Sequence, residues 1–85
     1  MKYNWLITFR SVTFAQKGER LLKKTGIEST LQRTPRELSE RGCGYCLRIR
    51  ARDAMTAVEL LRENGVTYGK TYAMTEGGRP EERVL

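Results

Sequence analysis

Two segments of the chain, 39 residues apart, have similar amino-acid sequences. Residues 21–27 read Leu-Leu-Lys-Lys-Thr-Gly-Ile, and residues 60–66 read Leu-Leu-Arg-Glu-Asn-Gly-Val. The correspondence extends to two small residues upstream of each stretch: Ala15 and Gly18, then Ala54 and Ala57. A repeated segment of this kind indicates a repeated supersecondary unit, here with small residues where each helix approaches a sheet. The sequence therefore predicts two similar βαβ halves.

The first half reads as strand, helix and strand. Residues 3–9 are rich in aromatic and β-branched residues, which is typical of a strand. Ser11 can cap the helix that follows, because its side-chain oxygen can accept from a free backbone amide. Gly26 can end that helix in the left-handed conformation. Residues 27–32 are a second and more polar strand candidate, which we expect at a sheet edge.

The second half repeats this order. Residues 43–50 alternate between apolar and polar positions, which predicts a half-buried strand. Asp53 can cap a second helix, and Gly65 can close it. Residues 66–75 supply the last predicted strand.

These elements predict an α+β fold of the ferredoxin-like βαββαβ type. Right-handed crossovers would give a four-stranded antiparallel sheet with both helices on one face. We expect this domain to span residues 1–75 and residues 76–85 to form a flexible C-terminal tail. The other face of the sheet would be uncovered and available for dimerisation, a ligand or RNA, among which the fold does not choose.

Composition narrows the functions that the chain can have. The 85 residues carry a net charge of +6 and include two cysteines and no histidine. The lack of histidine excludes histidine-based acid/base catalysis, a Cys-His pair within one chain and any histidine-containing metal site. The sequence has neither a membrane-length apolar run nor a secretory signal, so we expect a cytoplasmic protein that does not bind membranes.

Cys43 is the residue that we expect to carry the chemistry. It lies between Gly42 and Gly44, at the junction of a turn-forming loop and a predicted strand. Small neighbours leave the sulfur accessible, and if the loop folds back, the positive charges of Arg36, Arg41 and Arg48 would favour its thiolate form. The alternative is an inert free cysteine.

Cys46 completes a Cys-x-x-Cys motif, the spacing of dithiol redox sites, and could resolve a disulfide on Cys43. A thioredoxin-like site would need a helix after the first cysteine, whereas residues 47–50 read as strand. Cys46 can equally be a small residue of the sheet. The pair supplies two of the four ligands of a structural zinc site, so a metal would require a second copy of the chain. We therefore expect no metal and no cofactor.

Arginines are concentrated in the middle of the chain and could bind an anion, an acidic partner or RNA phosphates. They are Arg33, Arg36, Arg41, Arg48, Arg50 and Arg52. RNA-recognition modules of this fold also require aromatic residues on the central strands, whereas Tyr45 is predicted to face the core. We therefore do not expect nucleic acid as a partner and favour a solvated basic face.

The motifs together resemble a known family. They are Tyr-x-x-Leu-Ile-Thr-Phe-x-Ser, Leu-Leu-x-x-x-Gly-Ile, Thr-Pro-Arg-Glu-Leu-Ser and Cys-Gly-x-Cys-Leu-Arg-Ile. Over residues 2–72 the chain is similar to the selenium/sulfur carrier protein-like family of small bacterial domains. The most specific part is the loop at residues 34–39, which also has the form of a capped turn, followed by Cys43 and Gly44.

The resemblance implies that Cys43 carries sulfur or selenium as a persulfide or selenopersulfide between a donor and an acceptor protein. Arg36 or Arg41 would stabilise the anion, and Cys46 would be optional. Such a protein is a carrier or accessory protein rather than a stand-alone enzyme. The alternative is a non-enzymatic interaction module that forms a homodimer, or binds an acidic partner, through the open face of the sheet.

Overall fold

Helices and strands follow one another in the predicted order as far as the last predicted strand. The computed structural model describes residues 5–35, 38, 44–74 and 80–85. Its elements are β1 (Trp5–Phe9), α1 (Val12–Lys24), β2 (Ser29–Arg33), β3 (Tyr45–Ile49), α2 (Ala51–Glu63), β4 (Thr71–Met74) and β5 (Pro80–Glu82). Neither α1 nor α2 is long and apolar enough to cross a membrane.

All neighbouring strands in the sheet are antiparallel. Among the described residues it has five strands in the order β2-β3-β1-β4-β5, with β1 and β3 in the centre. The predicted α+β class, with two helices and an antiparallel sheet, is confirmed. The four-stranded ferredoxin-like arrangement is not confirmed, because a fifth strand extends the sheet beyond β4.

That fifth strand comes from the segment predicted as a flexible tail. Glu81 of β5 lies opposite Ala73 of β4, and the Arg83 N–H donates to the Thr71 carbonyl at 2.9 Å. The Thr71 hydroxyl also donates to the Arg83 carbonyl. The tail prediction is thus wrong for residues 80–82, whereas the predicted domain boundary at residue 75 lies outside the described residues.

The repeated helix endings form the same structure twice. Gly26 and Gly65 have positive φ values of 82° and 69°. After each glycine the chain turns back, and the N–H of the next residue donates to a carbonyl of the helix. The Ile27 N–H donates to the Leu22 carbonyl at 2.8 Å, and the Val66 N–H donates to the Leu61 carbonyl at 2.9 Å. This double turn is the Schellman motif, so the repeat read from the sequence is a repeat of helix termination.

The two helices begin differently. Ser11 caps α1 as predicted, accepting from the Phe14 N–H at 3.3 Å. The predicted cap of α2 at Asp53 is wrong, because α2 already starts at Ala51 and Arg50 occupies the cap position without a side-chain hydrogen bond. Asp53 lies in the first turn, where its carboxylate is favoured by the positive end of the helix dipole.

Both helices pack on one face of the sheet, which we call the helix face. Ile7, Phe9, Leu47 and Ile49 point from the central strands into this core and are at most 3% exposed. The helices contribute Ala15, Leu22, Ala54, Ala57, Val58 and Leu61. Tyr45 packs against the same core, as its alternation with Leu47 and Ile49 predicts.

The opposite face, which we call the outer face, has a second and smaller core. Leu6, Cys46 and Tyr72 are 2%, 0% and 8% exposed, and Leu38 and Met74 pack against them. The prediction that this face is uncovered is therefore wrong for its centre.

Gly18 gives a direct test of how closely α1 approaches the sheet. A Cβ at this position would lie 3.1 Å from Phe9 Cζ and 3.2 Å from Leu61 Cδ2. We expect Gly18→Val to lower the free energy of unfolding by about 1–3 kcal/mol through overpacking. Urea denaturation measures this, with Gln16→Val on the exposed side of α1 as the control for helix propensity. Equal losses in the two variants would contradict the close contact.

Candidate functional site

The loop that carries the predicted site is closed at its base by a backbone hydrogen bond. The last pair of the β2–β3 ladder is Arg33 opposite Tyr45, and directly beyond it the Thr34 N–H donates to the Gly44 carbonyl at 3.1 Å. We call Thr34 and Gly44 the loop neck. In the amino-acid sequence, residues 35–43 connect its two sides.

Gly44 has a conformation and surroundings that suit glycine. Its φ is +138°, a value that L-residues with a side chain rarely adopt. A Cβ there would lie 3.4 Å from the Phe9 carbonyl oxygen and 3.5 Å from Thr34 Oγ1. The residue that follows Cys43 in the chain is therefore fixed between the end of β1 and the start of the loop.

Cys43, Arg36 and Arg41, the central residues of the predicted site, lie outside the described residues. Between the two sides of the neck the structure describes Pro35 and Leu38. The Leu38 N–H donates to the Pro35 carbonyl at 2.9 Å, which makes a turn where the sequence predicts one. Leu38 also packs against the core of the outer face, so this loop contacts the body of the protein.

Thr34 is predicted to cap the loop turn by accepting from the backbone N–H of residue 36 or 37, and both lie outside the described residues. Thr34 Oγ1 is buried and lies beside the Cys46 thiol. Thr34 contributes its backbone N–H to the loop neck.

Cys46 is a free and fully buried thiol in the centre of the outer face. Its Sγ donates weakly to the Arg33 carbonyl, at 3.9 Å. Burial raises the pKa of the Cys46 thiol above its ordinary value of 9.0, because the thiolate loses its hydration. The polar side chains of Gln32 and Thr34 and the positive charge of Arg48 act in the opposite direction but do not offset burial.

These surroundings keep Cys46 protonated and inaccessible. A thiol must ionise and be reached by its target to act as a nucleophile or to resolve a disulfide. In the described structure Cys46 is a small, fully buried residue of the outer face.

Positive groups are found at the end of the sheet where the loop neck lies. Arg10 follows β1 and is exposed, and Arg33 at the end of β2 is also exposed, with its guanidinium 5.9 Å from the centre of the Tyr45 ring. Helix α1 starts immediately after Ser11 and has no acidic residue in its first turn. No carboxylate of the first turn of α1 therefore neutralises the positive end of the helix dipole.

The arginines predicted as one cluster are divided between different parts of the protein. Arg48 is half-buried on the outer face beside Cys46, whereas Arg50 is at the start of α2 and pairs with Glu28 at 3.1 Å. Arg52 lies 4.0 Å from Asp53. Because β3 runs from the loop neck to the opposite end of the sheet, Arg50 and Arg52 are remote from the neck. Arg33 alone among the described members lies at the neck.

Sequence reasoning missed the polar residues next to Cys46. Gln32 lies directly opposite Cys46 in the β2–β3 register, and Thr34 follows two residues later. The cross-strand register places them there, and the sequence offers no signal of it until both strand boundaries are known. Metal ligands do not cluster in the parts of the chain that the structure describes.

The model of one protein family, described as Putative Se/S carrier protein-like, matches residues 4–73. The chain belongs to this family. The match includes the loop neck, both cysteines and both helices, so the resemblance seen in the motifs is confirmed. No curated protein and no solved structure matches the chain.

The loop neck predicts the effect of a side chain at Gly44. We expect Gly44→Ala to lower the free energy of unfolding by about 1–3 kcal/mol, since L-alanine is strained at this φ. Urea denaturation provides the measurement. In a chemically synthesised chain, D-alanine at position 44 is the control, because a D-residue favours positive φ. A larger loss for D-alanine than for L-alanine would contradict the assigned backbone conformation.

The buried thiol predicts a pH effect on stability. The folded chain holds the Cys46 proton to higher pH than the unfolded chain. Its contribution is therefore fully present below the ordinary pKa and is lost as pH rises through the raised pKa. The slope reaches at most about 1.4 kcal/mol per pH unit.

Urea unfolding of the protein and of Cys46→Ala over this pH range isolates the effect, because the other titrating groups are common to both. We expect the stability advantage of the cysteine to shrink with rising pH. A constant difference between the two proteins would show that the thiol ionises as easily in the fold as in the unfolded chain.

Proposed function

We propose that the protein carries sulfur or selenium on Cys43 and passes it from a donor protein to an acceptor. The observation that carries this proposal is the loop neck, where Gly44 is held by Thr34 at the end of the sheet that bears Arg10, Arg33 and the start of α1. The description of the family, an Se/S carrier, suggests that the transferred atom is selenium or sulfur.

The transfer requires one nucleophilic sulfur and no cofactor. The Cys43 thiolate attacks the terminal sulfur of a cysteine persulfide on the donor. A bond forms between Cys43 Sγ and that sulfur, the donor's S–S bond breaks, and the donor cysteine leaves as a thiolate. In the second step a nucleophile of the acceptor attacks the terminal sulfur, and Cys43 departs as a thiolate. One sulfur atom moves in each step without an external oxidant or reductant.

Positive surroundings assist both steps. A cation near the sulfur lowers the pKa of a thiol and stabilises the anionic persulfide. Arg10 and Arg33 are described residues at this end of the sheet, and the start of α1 adds the positive end of its dipole. We propose the same role for Arg36 and Arg41, which belong to the loop itself.

The assignment of the two cysteines follows from their different positions in the chain. Cys46 lies within β3, is fully buried and has a raised pKa, all of which disfavour transfer. Cys43 precedes the glycine that ends the loop. The proposed carrier therefore uses one thiol, and Cys46 supports the fold.

The alternative, an interaction module that uses the open sheet face, receives less support. The centre of the outer face is filled by Leu6, Cys46 and Tyr72, and Arg50 is engaged with Glu28. A homodimer through this face would have to use its periphery.

Loading by a cysteine desulfurase and cysteine tests the proposal. We expect intact-protein mass spectrometry to show one added sulfur, removable by a thiol reductant, and peptide mapping to place it on Cys43. Cys43→Ser should abolish the adduct, and Cys46→Ser, the matched control, should retain it.

Two results would refute the carrier role. One is the absence of an adduct when another thiol carrier loads under the same conditions. The other is loading that persists in Cys43→Ser and is lost in Cys46→Ser, which would assign the chemistry to the buried thiol.

A further inference from the structure

The outer edge of β2 is an unpaired strand edge beside a groove. β2 is a terminal strand of the sheet, and among the described residues nothing pairs with its outer side. Bonded pairs alternate along an antiparallel ladder, and Thr34 bonds to Gly44. Thr30 and Gln32 therefore also bond to β3, and the N–H and C=O groups of Ser29 and Leu31 point away from the sheet.

A groove of about 500 Å³ lies at the start of this edge, between Ser29, the segment that joins α1 to β2, and the last turns of α1. Its lining includes Arg20 and Lys23 from the helix and Ser29 from the strand, with Ile27 as an apolar element. Extended peptides bind such places by adding a strand to the free edge and placing alternate side chains in the adjoining groove. β2 also lacks lysine and proline, two of the residues that protect natural strand edges.

The charges of the groove indicate the kind of peptide. Arg20 and Lys23 are exposed and form no ion pair within the described residues. Of the two carboxylates in the lining, Glu28 is engaged by Arg50 at 3.1 Å, which leaves Glu19. Lys24 adds a further positive charge on the same helix. An acidic segment gains from this field.

A second copy of the chain fits this edge less well. Antiparallel pairing of β2 with its equivalent in another copy, around a two-fold axis perpendicular to the sheet, would place the two α1 helices on the same side. Each would bring Arg20, Lys23 and Lys24 towards the other, and like charges in such proximity repel.

We propose that β2 and the groove beside α1 bind an extended acidic segment of a partner protein by strand addition. Backbone groups of Ser29 and Leu31 bond to the added strand. Arg20 and Lys23 pair with its carboxylates, and an aliphatic side chain contacts Ile27. This site involves neither cysteine and is independent of sulfur transfer.

Fluorescence anisotropy with a labelled short peptide in which Glu alternates with Val tests this site. We expect binding that weakens with added salt, and much weaker binding of a peptide in which Lys replaces Glu. In the NMR spectrum, the Ser29 and Leu31 amides should shift on binding and gain protection from hydrogen exchange.

Three variants separate the contributions of backbone and charge. Ser29→Pro removes an outward N–H at the first residue of the strand, where proline is tolerated, and should weaken binding at least about tenfold. Arg20→Glu combined with Lys23→Glu should cause a loss of at least about tenfold. Arg83→Glu, a charge control that follows β5 at the opposite edge of the sheet, should change the affinity by less than about twofold.

Several results would overturn the proposal. They are no binding of the acidic peptide, equal binding of the basic peptide, or full affinity in a folded Ser29→Pro protein. Dimerisation abolished by Ser29→Pro would assign the edge to a second copy instead. Cys43→Ser should bind the peptide like the unmodified protein, so that failure of sulfur loading and failure of peptide binding are read separately.

Discussion

The close approach of α1 to the centre of the sheet is the contact on which the rest of this structure depends. Gly18 lies where a single added carbon would meet Phe9, Leu61 and Leu47, that is, β1, α2 and β3 at once. Ala15, Ala54 and Ala57 have the same function in their own turns. With only 85 residues, the chain has a small core, and small side chains on the helices allow the large ones of the strands to be buried completely.

Along β3, side chains point alternately to the helix face and to the outer face, and this determines the surroundings of each residue. Tyr45, Leu47 and Ile49 belong to the core under the helices, so Cys46 must point to the outer face. There the loop residue Leu38 packs against the same cluster. The burial that raises the pKa of Cys46 is thus part of the same packing that places Leu38 against the sheet.

The sequence predicts those parts of the fold that local chemistry determines. The Ser11 cap, the two glycine helix endings and the inward positions of β3 are local signals, and each is observed. The repeat predicted correctly that both helices end alike. These features depend on a few residues that are neighbours in the chain, although the Asp53 cap, also a local signal, was wrong because α2 already starts at Ala51.

What the sequence could not predict depends on pairing between distant segments. Residues 80–82 are Pro-Glu-Glu, a poor strand former, and they are ordered by bonds to β4 rather than by their own propensity. The packing of Leu38 on the outer face and the ion pair between Arg50 and Glu28 also involve residues far apart in the chain. The same reason explains why Gln32 and Thr34 beside Cys46 were missed.

Chain connectivity links the two proposed functional regions. β2 supplies the free edge at Ser29 and Leu31, and four residues after Ser29 it ends at Arg33, directly before the loop neck. A strand rises about 3.3 Å per residue, so the edge and the neck are separated by little more than the length of β2, roughly 15 Å. A partner segment added along β2 would therefore extend towards the end of the sheet where the loop begins. Docking on backbone groups, next to the loop proposed to carry sulfur, would let a small protein bind its partner without a deep pocket.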